Sequence, residues 1–346
     1  MVNGKNDLRV TIKDVAKKAG TSIATVSFVL SDKERYLRPE LKEKVVQAAK
    51  ELGYIKNAAA SSLKGKHRGI LAILVPQFGN TFFTRMCVEF EAVARQEGYV
   101  VMICNSDENP AQEALALERL VSQQIDGCIL SPARGQGDNA VLLYQHKIPF
   151  LIFERPLGSF FSTYDFVGHD NFQAGFLATQ KLLDAGHRRI AAIGWDSPIP
   201  NMHERMEGYR AALREYGVSP DREMVLLDGE QSEAAGQRMA AKLPLAEVTA
   251  VVATQHEIAK GMVQYFKQAG VRWPADISTV MIGTPEWNGI LSPTLTCVKR
   301  PEEEMGRVAA TLLLDNIRNP GQDPVRRILR STILEGESVR EIRARQ

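Results

Sequence analysis

Thr11-Ile12-Lys13-Asp14-Val15-Ala16-Lys17-Lys18-Ala19-Gly20-Thr21-Ser22-Ile23-Ala24-Thr25-Val26-Ser27-Phe28-Val29-Leu30 decides the architecture of the N-terminal part of the chain. Ile12, Val15, Ala16 and Ala19 fall on one helical face. Thr11 is a good N-cap with Asp14 three residues on, and Gly20 suits a left-handed stop. A second helix starts at once: Ser22 caps it, and Val26, Val29 and Leu30 form its apolar stripe. Two short helices joined by a Gly-containing turn are a helix-turn-helix. A third helix, from about Pro39 to Leu52, has Pro in its first turn and Gly53 after its end, and its Leu41, Val45, Ala48 and Leu52 close a three-helix core.

Charge concentrates on this head. Of 346 residues with a formal net charge of +2, residues 1–68 hold 15 Lys and Arg against 7 Asp and Glu, and the rest hold 28 against 34. A basic, folded head on a mildly acidic body suits a phosphate-backbone partner. Hydrophobic residues at 44% and charged residues at 24% are globular values, and no apolar run nears the roughly 18 residues of a membrane span. Met1 to Val10 lacks the apolar segment of a secretion signal, so the expected location is the cytoplasm, with no membrane partner. Cys87, Cys104, Cys128 and Cys297 are far apart, with neither C-x-x-C nor a His at ligand spacing. They read as buried free thiols, and no metal or cofactor is expected.

Between head and body, Asn57 to Lys66 is rich in Ala and Ser, too short to be a stable isolated helix. From Gly69 onward, short apolar runs alternate with amphipathic stretches: Ile70 to Val75, Tyr99 to Cys104, Gly127 to Leu130, Phe150 to Phe153, Arg189 to Ile193, Met224 to Leu227, Ala250 to Ala253 and Ile277 to Ile282. Such a pattern predicts an α/β body of two doubly wound lobes with parallel sheets covered on both faces.

The head strings Thr11 to Ala16, Ala19 to Ser22, Ala24 to Ser27 and Glu51 to Tyr54 resemble the headpiece of the lactose-repressor (LacI/GalR) family of transcription regulators. In the body the resemblance continues through Asn80 to Phe83, Val167 to Asn171, Gly186 to Ile190, Glu204 to Tyr209 and Met305-Gly306, over nearly the whole chain. It implies a helix-turn-helix DNA-binding headpiece at 1–56, a hinge helix or linker at 57–68 and, at 69–346, a periplasmic-binding-protein-like core for effector binding and dimerisation. Lobe 1 is expected at about 69–164 and 300–324, lobe 2 at about 165–299 and 325–346, with three crossovers between them. The implied partners are a double-stranded DNA operator, a small-molecule effector and a second copy of the chain.

By that resemblance the second helix enters the major groove. Ile23, Ala24 and Phe28 become base readers, Thr21, Ser22, Thr25 and Ser27 lie near phosphates, and Thr11 joins the DNA-facing set. The family often carries Arg, His or Tyr at the place of Phe28, whereas Phe offers only apolar contact, for instance with a thymine methyl. The alternative is that Phe28 packs inward. Asn57, Ala60 and Leu63 fall on the hinge helix, where a leucine wedges between base steps in the minor groove. The alternative there is a plain linker.

Ligands of doubly wound sheets bind beyond the carboxyl ends of the strands. Expected effector-binding residues are Asn80, Phe82, Phe83, Ser131 and Glu154 from one lobe, and Trp195, Asn201, Arg205, Gln231, Gln255 and Gly283 from the other. Arg205 matches the family's cleft arginine, whose donor fork suits vicinal hydroxyls or a carboxylate. Elsewhere the chain departs from the family: Gln255-His256 stands for Asn-Asp, Gly283-Thr284 for Asp-Asp, and Gln231 for an aromatic lid. With one carboxylate and one ring gone, the expected effector is sugar-like but larger, modified or acidic, filling space opened at Gly283. Trp195, Trp287, Phe82 and His203 could supply stacking.

An enzyme reading rests on Gly135-Gln136-Gly137-Asp138-Asn139-Ala140, which imitates a dinucleotide motif but follows its strand too distantly to deliver a tight turn. No catalytic residue is expected. A solute-binding or nucleotide-binding protein without operator recognition would explain the lobes but not the basic head. The regulator reading yields a first expectation. Leu63→Ala should weaken binding to a specific operator while leaving nonspecific DNA binding nearly intact, as read by titration with both duplexes. Equal loss of both would refute the wedge assignment.

Overall fold

The computed structural model describes residues 10–30, 37–55, 68–133, 138–157 and 164–342. Asn57, Ala60 and Leu63 of the expected hinge, and Gly135 and Gly137 of the glycine string, lie outside the described residues. The chain divides into two compact units, Met1–Arg68 and Gly69–Gln346.

In the first unit, α1 (Ile12–Ala19), α2 (Ile23–Val29) and α3 (Pro39–Leu52) match the sequence expectation. The Asp14 carboxylate accepts from the Thr11 backbone N–H at 2.8 Å and from its hydroxyl at 2.7 Å, and these bonds hold its pKa below the ordinary value. Gly20, at φ 64°, ends α1 in the left-handed conformation, where a side chain would be strained. The Ser22 hydroxyl caps α2 by accepting from the Thr25 N–H at 3.1 Å. Val15, Ala16, Val26, Val45, Ala48 and Ala49 form the buried core, with Ile12, Ala19, Val29, Leu30, Leu52 and Tyr54 packed around it.

The described residues of the second unit carry twelve strands: β1 (Ile70–Val75), β2 (Val100–Asn105), β3 (Gly127–Leu130), β4 (Phe150–Phe153), β5 (Asp165–His169), β6 (Ile190–Trp195), β7 (Val225–Asp228), β8 (Ala250–Ala253), β9 (Ser278–Ile282), β10 (Thr296–Lys299), β11 (Arg326–Leu329) and β12 (Thr332–Leu334). They form two six-stranded sheets, ordered β11-β5-β4-β3-β1-β2 and β12-β10-β9-β8-β6-β7. All pairings are parallel except β10 with β12. The first sheet is covered on one face by α4 (Thr81–Gln96) and on the other by α5 (Pro110–Ser122) and α6 (Ala140–Gln145). On the second sheet, α7 (Asn171–Asp184) and α8 (Pro200–Glu215) cover one face, and α9 (Glu233–Ala241) and α10 (His256–Ala269) the other. Finally α11 (Glu302–Arg318) returns to pack beside α4 on the first sheet.

The lobe boundaries differ from expectation in two places. Asp165 begins β5, which pairs with β4 and β11 in the first sheet rather than opening the second lobe. Its carboxylate fixes it there, accepting from Asn316 Nδ2 and the Val325 N–H, both at 2.8 Å. For the same reason residues 325–329 belong to the first sheet, and only with β12 does the tail join the second. The chain therefore crosses between sheets just after β5, after β10 and between β11 and β12. Of the thiols, Cys87, Cys128 and Cys297 are buried as expected, while Cys104 is half-exposed.

His187 is structural: its Nε2 donates to the Arg340 carbonyl at 3.1 Å, its Nδ1 lies 2.9 Å from the Thr249 hydroxyl, and burial lowers its pKa to about 4. Helices α7 and α8 touch backbone to backbone. A methyl at Gly175 would collide with the Arg205 carbonyl, and one at Gly208 with the Phe172 carbonyl. Gly175→Ala or Gly208→Ala should therefore cost about 1 to 3 kcal/mol of stability by denaturant unfolding. An unchanged midpoint would contradict this contact.

Candidate functional site

A narrow cavity of about 40 Å³ lies between the lobes at the carboxyl ends of the strands, where ligands of doubly wound sheets bind. Nine of the eleven expected residues line it: Asn80, Phe82, Phe83, Glu154, Trp195, Asn201, Arg205, Gln231 and Gln255. Local structure places them. Asn80 caps α4 by accepting from the Phe82 N–H at 3.0 Å, Glu154 ends β4, and Arg205 and Asn201 sit on the first turns of α8, which Pro200 opens.

Charge organises the site. Glu154 is 5% exposed and holds φ at 63°, a conformation that non-glycine residues adopt at a cost and mostly where function requires it. Its Oε2 lies 2.9 Å from His169 Nδ1, and Asn201 Nδ2 donates to Oε1 at 2.7 Å and to the Glu154 carbonyl at 3.0 Å. Burial alone would raise its pKa, but His169, Arg205 and Arg300 outweigh it and hold the carboxyl at about 2. Burial lowers the pKa of His169, with Glu154 opposing. Arg205 donates from Nε to Asn171 Oδ1 and from Nη1 to the Thr254 carbonyl, both at 2.8 Å. Burial first and Arg300 second lower its pKa to about 9, which leaves it charged at neutral pH.

Two expected residues stay out of the cavity. Ser131 is fully buried behind it, where Arg155 donates to the next carbonyl, Pro132, at 3.1 Å and pairs with Glu108 at 2.6 Å. Gly283 leaves no open space: a Cβ there would stand 3.4 Å from Arg300 Nη2, so the guanidinium has filled the gap. Nor do His203, exposed on α8, and Trp287, packed against the core of the second lobe, line the cavity. The lining residues missed in the sequence are Arg155, Ile199, Met202, His256, Ile282 and Arg300. Arg155 and His256 directly follow expected residues, so counting one position further past each strand would have found them. Arg300 follows β10, a strand not recognised from the sequence.

On the first unit, the face of α2 opposite buried Val26 is open: Ser22, Ile23, Ala24 and Ser27 are exposed, and Thr21, Thr25 and Phe28 are half-buried. Thr11 is exposed at the start of α1.

The chain matches the profile of bacterial regulatory proteins of the lacI family over residues 11–57 and that of a periplasmic binding protein-like domain over 179–339. A ribose operon repressor of Halalkalibacterium halodurans is 31% identical over 338 residues, covering 95% of this chain and 98% of that protein. Among solved structures, a transcriptional regulator CelR–cellobiose complex superposes with a TM-score of 0.72 at 27% identity, over 95% of this chain and 100% of that one. A lac repressor dimer bound to operator and the anti-inducer ONPF shares the fold, with a TM-score of 0.83 at 21% identity over 96% of this chain and 99% of that one.

The Glu154 network gives an acid signature. Because its pKa is depressed, the carboxylate stabilises the fold fully above pH 4.5, and this contribution is lost as pH falls toward about 2. Glu154→Gln should therefore lose less stability than the parent chain over that interval in denaturant titrations. Equal losses would mean that the carboxylate is not held in its ionised form.

Proposed function

Because the chain belongs to the lacI family of bacterial regulatory proteins, we propose that it is a ligand-responsive, sequence-specific transcriptional repressor, acting in the cytoplasm as a homodimer on a palindromic DNA operator. The observation that carries this reading is α2: its apolar side is buried at Val26 while Ile23, Ala24 and Ser27 face outward, on a unit with 15 basic and 7 acidic residues. Ile23, Ala24 and Phe28 read base edges, and Thr11, Thr21, Ser22, Thr25 and Ser27 approach phosphates. Asn57, Ala60 and Leu63 supply the minor-groove contacts of the hinge. With a Phe at position 28, one base pair of each half-site is read by apolar contact instead of hydrogen bonds.

The homodimer is supported by the edge strand β2, whose Val100, Met102 and Ile103 are 67%, 36% and 41% exposed. The cleft is a binding site without catalysis, holding a sugar-like effector among Asn80, Phe82, Phe83, Glu154, Trp195, Asn201, Arg205, Gln231 and Gln255. Three hydrogen bonds cross between the lobes there, two from Asn201 Nδ2 to Glu154 and one from Arg85 Nη1 to Thr284 Oγ1 at 3.1 Å. A ligand that replaces one set of cross-lobe contacts by its own has different affinities for two lobe arrangements, which is the condition for shifting their populations.

Selection of duplexes from a random library by the ligand-free protein, at two salt concentrations, tests the proposal. A recovered palindrome is the expected result. Salt-sensitive capture without any consensus would overturn specific recognition, since that is the behaviour of phosphate contacts alone.

A further inference from the structure

Arg300 is one of the cleft residues that the sequence pattern did not announce, and its surroundings are unusual. The side chain is 6% exposed and lines the cavity, with its guanidinium 4.2 Å from the centre of the Phe82 ring. Its acidic neighbour Glu302 reaches it only through Oε1 at 3.4 Å, and both Arg300 Nε and Glu302 Oε2 are buried without a hydrogen-bond partner. Arg155 differs: it is tied to Glu108 by two bonds, at 2.6 and 2.8 Å. Arg205 is also committed, through Nε and Nη1, to Asn171 and Thr254.

Charge in the cavity is lopsided. Three arginines line it against one carboxylate, Glu154, because Glu108 and Glu302 stand behind the lining. A buried guanidinium with an unused donor favours an acceptor that carries charge, and a planar carboxylate matches its fork. Two further lining atoms, Asn201 Oδ1 and Gln255 Oε1, are buried acceptors without a partner, and together with the Glu154 carboxylate they call for hydroxyl donors. A phosphate ester near neutral pH would set a dianion in the same cavity as Glu154, with Arg300 alone loosely paired to compensate it.

We propose that the ligand of this cleft is a hydroxylated monocarboxylate, a sugar acid, whose carboxylate is received by Arg300 above Phe82 and whose hydroxyls meet Glu154, Asn201, Arg205 and Gln255. This deepens the effector assignment and rests on it. Gly283 lies beside the device: at φ 108° its backbone has a conformation that other residues rarely adopt, and a Cβ there would only just touch the Arg300 guanidinium.

The test uses the full chain with a panel of aldonic and uronic acids, each paired with its neutral sugar or alditol, plus the corresponding sugar phosphates and inorganic phosphate. Binding is read by thermal shift and by the fluorescence of Trp195 at the cavity wall. At least one acid should bind about tenfold or more tightly than its neutral counterpart. Arg300→Gln should erase that preference, and Arg300→Lys, which keeps the charge but loses the fork, should retain part of it; unliganded melting temperatures check that both variants fold. Tighter binding of neutral sugars or phosphates than of any acid would overturn the proposal, as would silence of the whole acid panel or an unaltered preference in Arg300→Gln. If duplex selection still recovers a palindrome in those cases, only the ligand class has failed. Loss of the palindrome as well would remove the regulator reading.

Discussion

The buried carboxylate of Glu154 is the interaction around which the two-lobed body is arranged. An ionised group at 5% exposure is tolerable only if its surroundings replace the water it has lost. Those surroundings come from both lobes. His169 at the end of β5 belongs to the first sheet, Asn201 and Arg205 are on α8 over the second, and Arg300 is on the crossover after β10. Satisfying one charge therefore draws two sheets and a connection to one place, and the cavity is what is left between them. The left-handed backbone of Glu154 turns the chain at the end of β4, where the carboxylate meets these partners.

Much of this organisation was legible in the residues. Near-continuous apolar runs such as Ile70–Val75 and Ala250–Ala253 announce buried parallel strands because both faces of a covered sheet exclude water. The strands that escaped notice are those for which this signal fails. β5 carries Asp165, Gly168 and His169 within five residues, β10 ends in an exposed lysine, and β11 opens on Arg326-Arg327 at the sheet edge, exposed on the solvent side. Their place is decided by tertiary partners, as when Asp165 binds the Val325 N–H across 160 residues. The lobe boundary implied by the resemblance falls before β5, whereas the pairing of β5 with β4 puts it after that strand.

The cleft shows the same division. Residues just past recognised strands were found, since chain direction alone places them at the ligand end of a doubly wound sheet. Which of them face the cavity depends on how the surroundings pack: Ser131 is fully buried behind it, and Arg300 occupies the room beside Gly283. A glycine read as a vacancy in the sequence is a seat in the structure. In the N-terminal unit, by contrast, local signals suffice. Capping at Thr11 and Ser22 and the stop at Gly20 act within a few residues, so the helix boundaries follow from the sequence without tertiary help.

The glycines where α7 meets α8 have counterparts elsewhere. Gly236 and Gly261 bring α9 and α10 into backbone contact in the same way, and Gly306 brings α11 against α4. Helices meshed at the level of their main chains cannot slide past one another without atomic overlap, so each lobe behaves mechanically as a stiff plate. Compliance is then concentrated in the three thin straps that cross between the sheets. A small displacement of one plate edge at the cavity is carried undiminished to the far end of the same plate, as in a pair of tweezers, with the straps as the sprung joint.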